Sequence, residues 1–132
     1  MTAATPELTA NVLIVDDPPA AAALAAFLGA QGHRVRVAAG DADVAAGLAD
    51  VPPDVAVVDL GVGLAAVDRL VNLSRRSLLI ALLRPETAQR YPRERLSSFD
   101  YVFFKAVSPE VLAQKITKYM ADRTGQHKPL KD

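Results

Sequence analysis

The feature that most constrains this chain is a regular alternation of short apolar runs with longer Ala-rich or amphipathic stretches. Val12–Val15, Val55–Val58, Leu78–Leu83 and Tyr101–Phe104 are each too short for a helix and are bounded by polar or turn residues. Each reads as a strand. Arg34-Val35-Arg36-Val37 instead alternates polar with apolar, which predicts a half-buried strand at a sheet edge. Between the runs lie five helical stretches, Pro19–Gln31, Asp41–Ala49, Leu64–Arg75, Thr87–Ser97 and Ser108–Arg123. Asp41 fits a helix N-cap, Gly29 and Gly32 stand where the first helix should stop, and Ser108-Pro109-Glu110 combines a cap, a first-turn proline and an acid suited to the positive end of the helix dipole. Strand and helix alternating five times predict an α/β domain, a doubly wound parallel sheet covered by helices on both faces.

At 132 residues the chain fits one domain with a real core. The expected organisation is a domain over residues 11–123 between flexible ends at 1–10 and 124–132. Fifteen basic and fifteen acidic residues cancel, so no net field favours nucleic acid or an anionic membrane. Cysteine is absent, which excludes disulfides, thiolate metal sites and a cysteine nucleophile and is compatible with a reducing cytoplasm. No basic start with an apolar stretch opens the chain, and no apolar run approaches the roughly 20 residues that span a bilayer, so a soluble cytoplasmic protein is expected.

The chemistry concentrates at strand ends. Asp16 and Asp17 follow Val12–Val15 directly, and Asp59 follows Val55–Val58. In open doubly wound sheets ligands sit beyond the carboxyl ends of the strands, where strand order reverses. If the first and third strands flank that point, three carboxylates meet, and such a cluster calls for a cation, with oxygen ligands suiting magnesium best. Taken alone, Asp16-Asp17 reads equally well as a helix cap; a second apolar run ending in an acid tips the balance toward function. Lys105 ends the Tyr101–Phe104 run at the same edge, where its ammonium can reach an anion near Asp59.

The ordered set Val12-Leu-Ile-Val-Asp-Asp17, Val57-Val-Asp59-Leu60 and Lys105 with Ser108-Pro109-Glu110 downstream resembles the receiver domain of bacterial two-component response regulators, over roughly Asn11 to Ala121. The resemblance implies the flavodoxin-like receiver fold with strand order 2-1-3-4-5. It implies that Asp59 accepts a phosphoryl group from a histidine kinase or phosphotransfer protein and that Lys105 contacts that group. It also implies magnesium held by Asp17, Asp59 and the Gly61 carbonyl, with Asp16 helping through water. The implied role is a stand-alone phosphorelay component, not a turnover enzyme, which signals by binding a downstream protein; whether it forms a homodimer stays open.

Several positions depart from the family's pattern. Where receivers carry Thr or Ser at the end of the fourth strand, this chain has Leu83 followed by Arg84. Arg84 offers a phosphate contact, although a solvated surface residue is the more ordinary expectation. The aromatic switch position falls on Val102, with Tyr101 next to it and expected to pack, and Ala106 replaces the proline that normally follows the lysine. Gly61-Val-Gly63-Leu64 is a shortened loop, and Pro18-Pro19 remove two amide donors after the acidic pair. Arg90, Arg93 and Arg95 form a basic stretch whose plain reading is a solvated face. The missing hydroxyl favours an alternative, a receiver-fold binding module that works without phosphorylation-dependent switching. An independent magnesium hydrolase lacks a separate base or lid.

Overall fold

A computed structural model of the chain describes residues 9–50, 52–61, 64–72, 77–88, 93–105 and 107–125. Every expected strand forms: β1 Asn11–Val15, β2 Arg34–Ala38, β3 Val55–Asp59, β4 Leu78–Leu83 and β5 Tyr101–Phe104. They make one parallel sheet in the order β2-β1-β3-β4-β5. The three central strands are nearly or wholly buried because their side chains are apolar on both faces, whereas β2 alternates and lies at an edge.

The period of two divides those side chains between two cores. Val12, Ile14, Val55, Val57, Ile80 and Leu82 face α1 (Pro18–Ala30) and the last helix, α6 (Pro109–Gly125), through Leu24, Leu28, Leu112 and Ile116. Leu13, Val15, Ala56, Val58, Leu79 and Ala81 face α2 (Asp41–Asp50) and α3 (Leu64–Val71) through Val44, Val67 and Leu70. Each fully buried Leu or Ile contributes roughly 1.5–3 kcal/mol of transfer free energy. The sheet is therefore clamped from both sides, and strand order reverses between β1 and β3.

Helix ends follow local chemistry. Gly32 takes a φ of 96°, and the His33 amide bonds to the Leu28 carbonyl while the Gly32 amide bonds to that of Gly29, a Schellman stop. Ser108 caps α6, its Oγ accepting the Val111 amide at 3.3 Å. At α2 the first helical bond runs from the Val44 amide to the Gly40 carbonyl, so Gly40, not Asp41, stands at the cap, and Asp43 reaches back to the Ala39 amide at 3.1 Å.

Around the stretch expected as the fourth helix, Thr87–Ser97, the described residues are helical over Pro85–Ala88 (α4) and Arg93–Leu96 (α5), and residues 89–92 between them lie outside the described residues. The third helix closes at Val71 rather than at Arg75. The expectations for residues 1–8 and 126–132, for Ala106, for Arg90 and for the side chain of Arg95 lie outside the described residues; Arg93 is exposed. No helix among the described residues is long and apolar enough to cross a membrane.

The amino ends of the strands carry their own polar fittings. Asp54 accepts the Asn11 amide and Asp100 the Leu79 amide, each at 2.8 Å. Buried His33 accepts the Ala10 amide on Nδ1 at 3.0 Å, and buried Ser77 donates to the Pro53 carbonyl at 2.7 Å.

Candidate functional site

The parallel register brings Asp16 and Asp59 together. Val15 pairs with Val58 across β1 and β3, so the next residue of each strand projects from the same carboxyl edge. Lys105 follows β5, and its backbone amide bonds to the Leu83 carbonyl at 3.0 Å, which fixes the start of its side chain beside β4. From there its ammonium reaches across to Asp59 Oδ2 at 2.7 Å and also donates to Asp16 Oδ2. Both carboxylates are almost wholly buried, with side-chain exposures of 5% for Asp16 and 6% for Asp59.

The remaining carboxylate oxygens are held by the backbone. Asp16 Oδ1 accepts the Asp17 amide and Asp59 Oδ1 the Gly61 amide, both at 2.8 Å. Position 61 suits glycine because an added Cβ would lie 3.3 Å from Asp59 Oδ1, crowding the carboxylate. The resemblance gave a role to the carbonyl of Gly61; in the structure its amide is bonded to Asp59.

Arg84, the residue after β4, brings a second cation to Asp59, its Nη2 lying 3.3 Å from Oδ2. Two acids and two cations thus balance in charge. Burial on its own would push the Asp59 carboxyl up, but the hydrogen bonds from Lys105 and Gly61, the Lys105 charge and the hydrogen bond with Asp16 together hold it below the usual carboxylate range. Burial likewise works to lower the Lys105 ammonium, and the bonds and charges of Asp16 and Asp59 outweigh it, so its pKa is raised.

Asp17 does not join this group. It is exposed at the N-cap of α1, its carbonyl accepts the Ala21 amide at 2.8 Å, and its side chain makes no capping bond. Prolines fill the first two helical positions, so of the amides that a capping carboxylate takes only that of Ala20, at the third position, is left. The donor chemistry of Asp16, Asp17, Asp59 and the Gly61 carbonyl, oxygen throughout, fits a hard divalent ion. Their arrangement around Lys105 does not gather them: among the described residues no three of His, Cys, Asp or Glu stand where they could hold a metal ion.

Beside the acids a cavity of about 190 Å³ opens between α1, the sheet and the start of α6, lined by Ile14, Ala20, Leu24, Leu82, Lys105 and Leu112. At the position of the missing hydroxyl, Leu83 is buried in the α2/α3 core. Tyr101 packs toward the α1/α6 core, stacked on Phe103 with ring centroids 5.9 Å apart and the Lys115 ammonium 5.1 Å over its ring. Val102 and Phe104 point the other way and are exposed, Phe104 to 60%. Sequence reasoning weighed Arg84 as a surface residue and passed over His33; the place of Arg84 directly after a buried strand of the site was the available signal.

No protein-family model matches the chain, and no curated protein matches it either. Solved structures do. The receiver domain of a Saccharomyces cerevisiae response regulator, co-crystallised with a histidine phosphotransfer signalling protein, superposes with a TM-score of 0.74 at 19% identity over 90% of this chain and 94% of that one. A Burkholderia pseudomallei response regulator protein with a phosphorylated aspartic acid, calcium ion and citrate gives 0.64 at 19% identity, covering 91% of this chain and 75% of that one. NtrX from Brucella abortus in complex with ADP gives 0.68 at 20% identity over 92% of this chain, which spans only 31% of the NtrX length. At such identities the likeness speaks for architecture: the chain has the receiver fold of response regulators.

Proposed function

We propose that the chain is a receiver in two-component signal transduction that accepts a phosphoryl group on Asp59 and acts through contacts with another protein. The observation that carries this reading is Asp59 itself, a carboxylate at the end of a buried central strand, lodged between Lys105 at 2.7 Å and Arg84 at 3.3 Å. In the proposed step an Asp59 oxygen attacks the phosphorus of a phosphohistidine on a kinase or phosphotransfer protein. The P–O bond forms as the P–N bond breaks, and the electron pair leaves with the imidazole. Lys105 shields the charge on the transferring group, so positioning and electrostatics supply the catalysis, and no substrate is turned over.

Magnesium is part of the proposal. Asp16 and Asp59 would hold it with the Gly61 carbonyl once Asp17, exposed in this structure, turned in to join them, and it would supply charge neutralisation on the phosphoryl oxygens. The cytoplasm is the proposed compartment, with a phosphodonor and a downstream protein as partners and neither nucleic acid nor membrane involved.

Incubation with magnesium and acetyl phosphate or phosphoramidate should add the mass of one phosphoryl group, lost in Asp59→Asn. Absence of any gain in the native chain, together with no magnesium binding, removes the reading. A second reading then stands, a receiver-fold binding module that does not switch. It is favoured by the full engagement of all four oxygens of Asp16 and Asp59 and by Leu83 at the hydroxyl position.

A further inference from the structure

The first helix of the fold begins unlike the last. Ser108 stands before α6 with one proline, Pro109, after it, and its side chain still caps the helix by accepting the Val111 amide. Asp17 stands before α1 with two, Pro18 and Pro19, and its side chain makes no capping bond. One proline is enough to start a helix, since it suits the first position, where its missing amide would have had no helical partner. The second adds nothing to that start. It removes the amide of the second position, one of the two from which a capping carboxylate draws its bonds.

The turn closes without the carboxylate. Asp17 has φ −55° and ψ 134°, the extended conformation to which a residue before proline is confined. Its amide donates to Asp16 Oδ1 and its carbonyl accepts the Ala21 amide, both at 2.8 Å. Main-chain bonds and ring geometry therefore do the work of a cap. The place of the residue gives this its meaning. Asp16 and Asp59 are buried, with every carboxylate oxygen engaged by Lys105 or a backbone amide, whereas Asp17, next in sequence to Asp16, is exposed. Of these three acids, Asp17 is the one that can turn to an arriving cation without first breaking a buried ion pair or a helix cap.

We propose that the Pro18-Pro19 pair is a positioning element for the metal: it builds the start of α1 without the Asp17 carboxylate and so keeps that carboxylate available to magnesium. The inference rests on the reading of Asp16, Asp17 and Asp59 as the magnesium site. The prolines touch no metal themselves; they act through Asp17, by withholding an amide that would compete for it.

Magnesium chloride, titrated into the full chain and followed by the 1H–15N shifts of the Asp17 and Gly61 amides, provides the test. The native chain should bind it, and Asp17→Ala should bind more weakly. Pro18→Ala combined with Pro19→Ala returns two amides to the helix start and should weaken binding about fivefold, the worth of one helix cap. Pro19→Ala alone, which keeps the helix-starting proline and carries the test if the double variant does not fold, should lose less. In the Asp17→Ala background the same replacements should change nothing, because no carboxylate is left to capture. Urea midpoints check that each variant is folded. Native-like affinity in the folded proline variants overturns the inference alone, as does an equal loss in the Asp17→Ala background. No magnesium binding by the native chain overturns the metal reading and the inference with it. Beryllium fluoride, a phosphoryl mimic, added with the magnesium and followed by 19F NMR, tests the acceptor separately. A native chain that binds magnesium but not the fluoride loses the Asp59 acceptor reading, while the magnesium affinities still decide the role of the prolines.

Discussion

The two ends of the sheet use the same residue type for opposite purposes. At the amino ends, Asp54 and Asp100 each lie before a strand and each accept a backbone amide of a neighbouring strand, at 2.8 Å. At the carboxyl ends, Asp16 and Asp59 also take one backbone amide each, and then both turn their second oxygen to Lys105. An acid beside a strand is therefore ordinary; two acids sharing one cation in a buried place are not. The amide-bound oxygens hold the carboxylates still, and the shared cation sets their charge. Only the second arrangement stores an electrostatic response to an incoming anion or cation.

The strongest way to break that comparison is to remove the shared cation. Lys105→Ala leaves two nearly buried carboxylates facing each other, and it should destabilise the chain by about 3 kcal/mol, the lower end for breaking a buried ion pair because the lysine is itself partly exposed. Urea unfolding at neutral pH measures it. Neutralising the acids in the same chain, as Asp16→Asn with Asp59→Asn and Lys105→Met, should recover most of the loss. A Lys105→Ala cost below about 1 kcal/mol would place the pair with ordinary surface ion pairs.

The amino-end acids should behave differently in both size and kind. Asp54→Ala or Asp100→Ala removes the acceptor of one strand amide and should cost about 1 kcal/mol each by urea unfolding. Neither should change the rate at which acetyl phosphate modifies the chain. A change in that rate would mean that the two ends of the sheet are coupled, and the contrast between them would fail.

How much of this was legible in the sequence follows from range of interaction. The strands could be read because a parallel strand covered on both faces is apolar at every position, as Val55–Val58 and Leu78–Leu83 are. Strand ends then placed Asp16, Asp59 and Lys105 on one edge without further information. Asp17 is subtler: two prolines after it take away the nearest amide, a local fact, yet where its carboxylate goes instead depends on the turn as a whole. Arg84 was not legible in the same way, since the aim of a long side chain is decided by tertiary charges that neighbours in sequence do not carry. The amide of Gly61 was hidden for a similar reason, because spacing names the residue but not which of its backbone groups faces the acid.

The two ends also separate on the pH axis. Asp59 is lowered from a carboxyl value of 3.8 and Lys105 raised from 10.5, so the site holds its charges across the neutral range. At the amino end, burial lowers the His33 imidazole from 6.5, and Nδ1 must stay unprotonated to accept the Ala10 amide. The folded chain therefore binds protons less readily at His33 than the unfolded chain does. Its contribution is fully present above pH 6.5 and is lost as pH falls through the lowered folded value. The urea midpoint should accordingly drop between pH 7.5 and pH 5, by an amount of about one hydrogen bond, roughly 1 kcal/mol. His33→Asn, which offers a carbonyl oxygen near the Nδ1 position and does not titrate, should flatten that slope while leaving beryllium fluoride binding unchanged. A slope that survives in His33→Asn would shift the near-neutral response elsewhere. A slope lost together with the fluoride complex would mean that the amino end governs the site, the reverse of the independence that their separate hydrogen-bond sets imply.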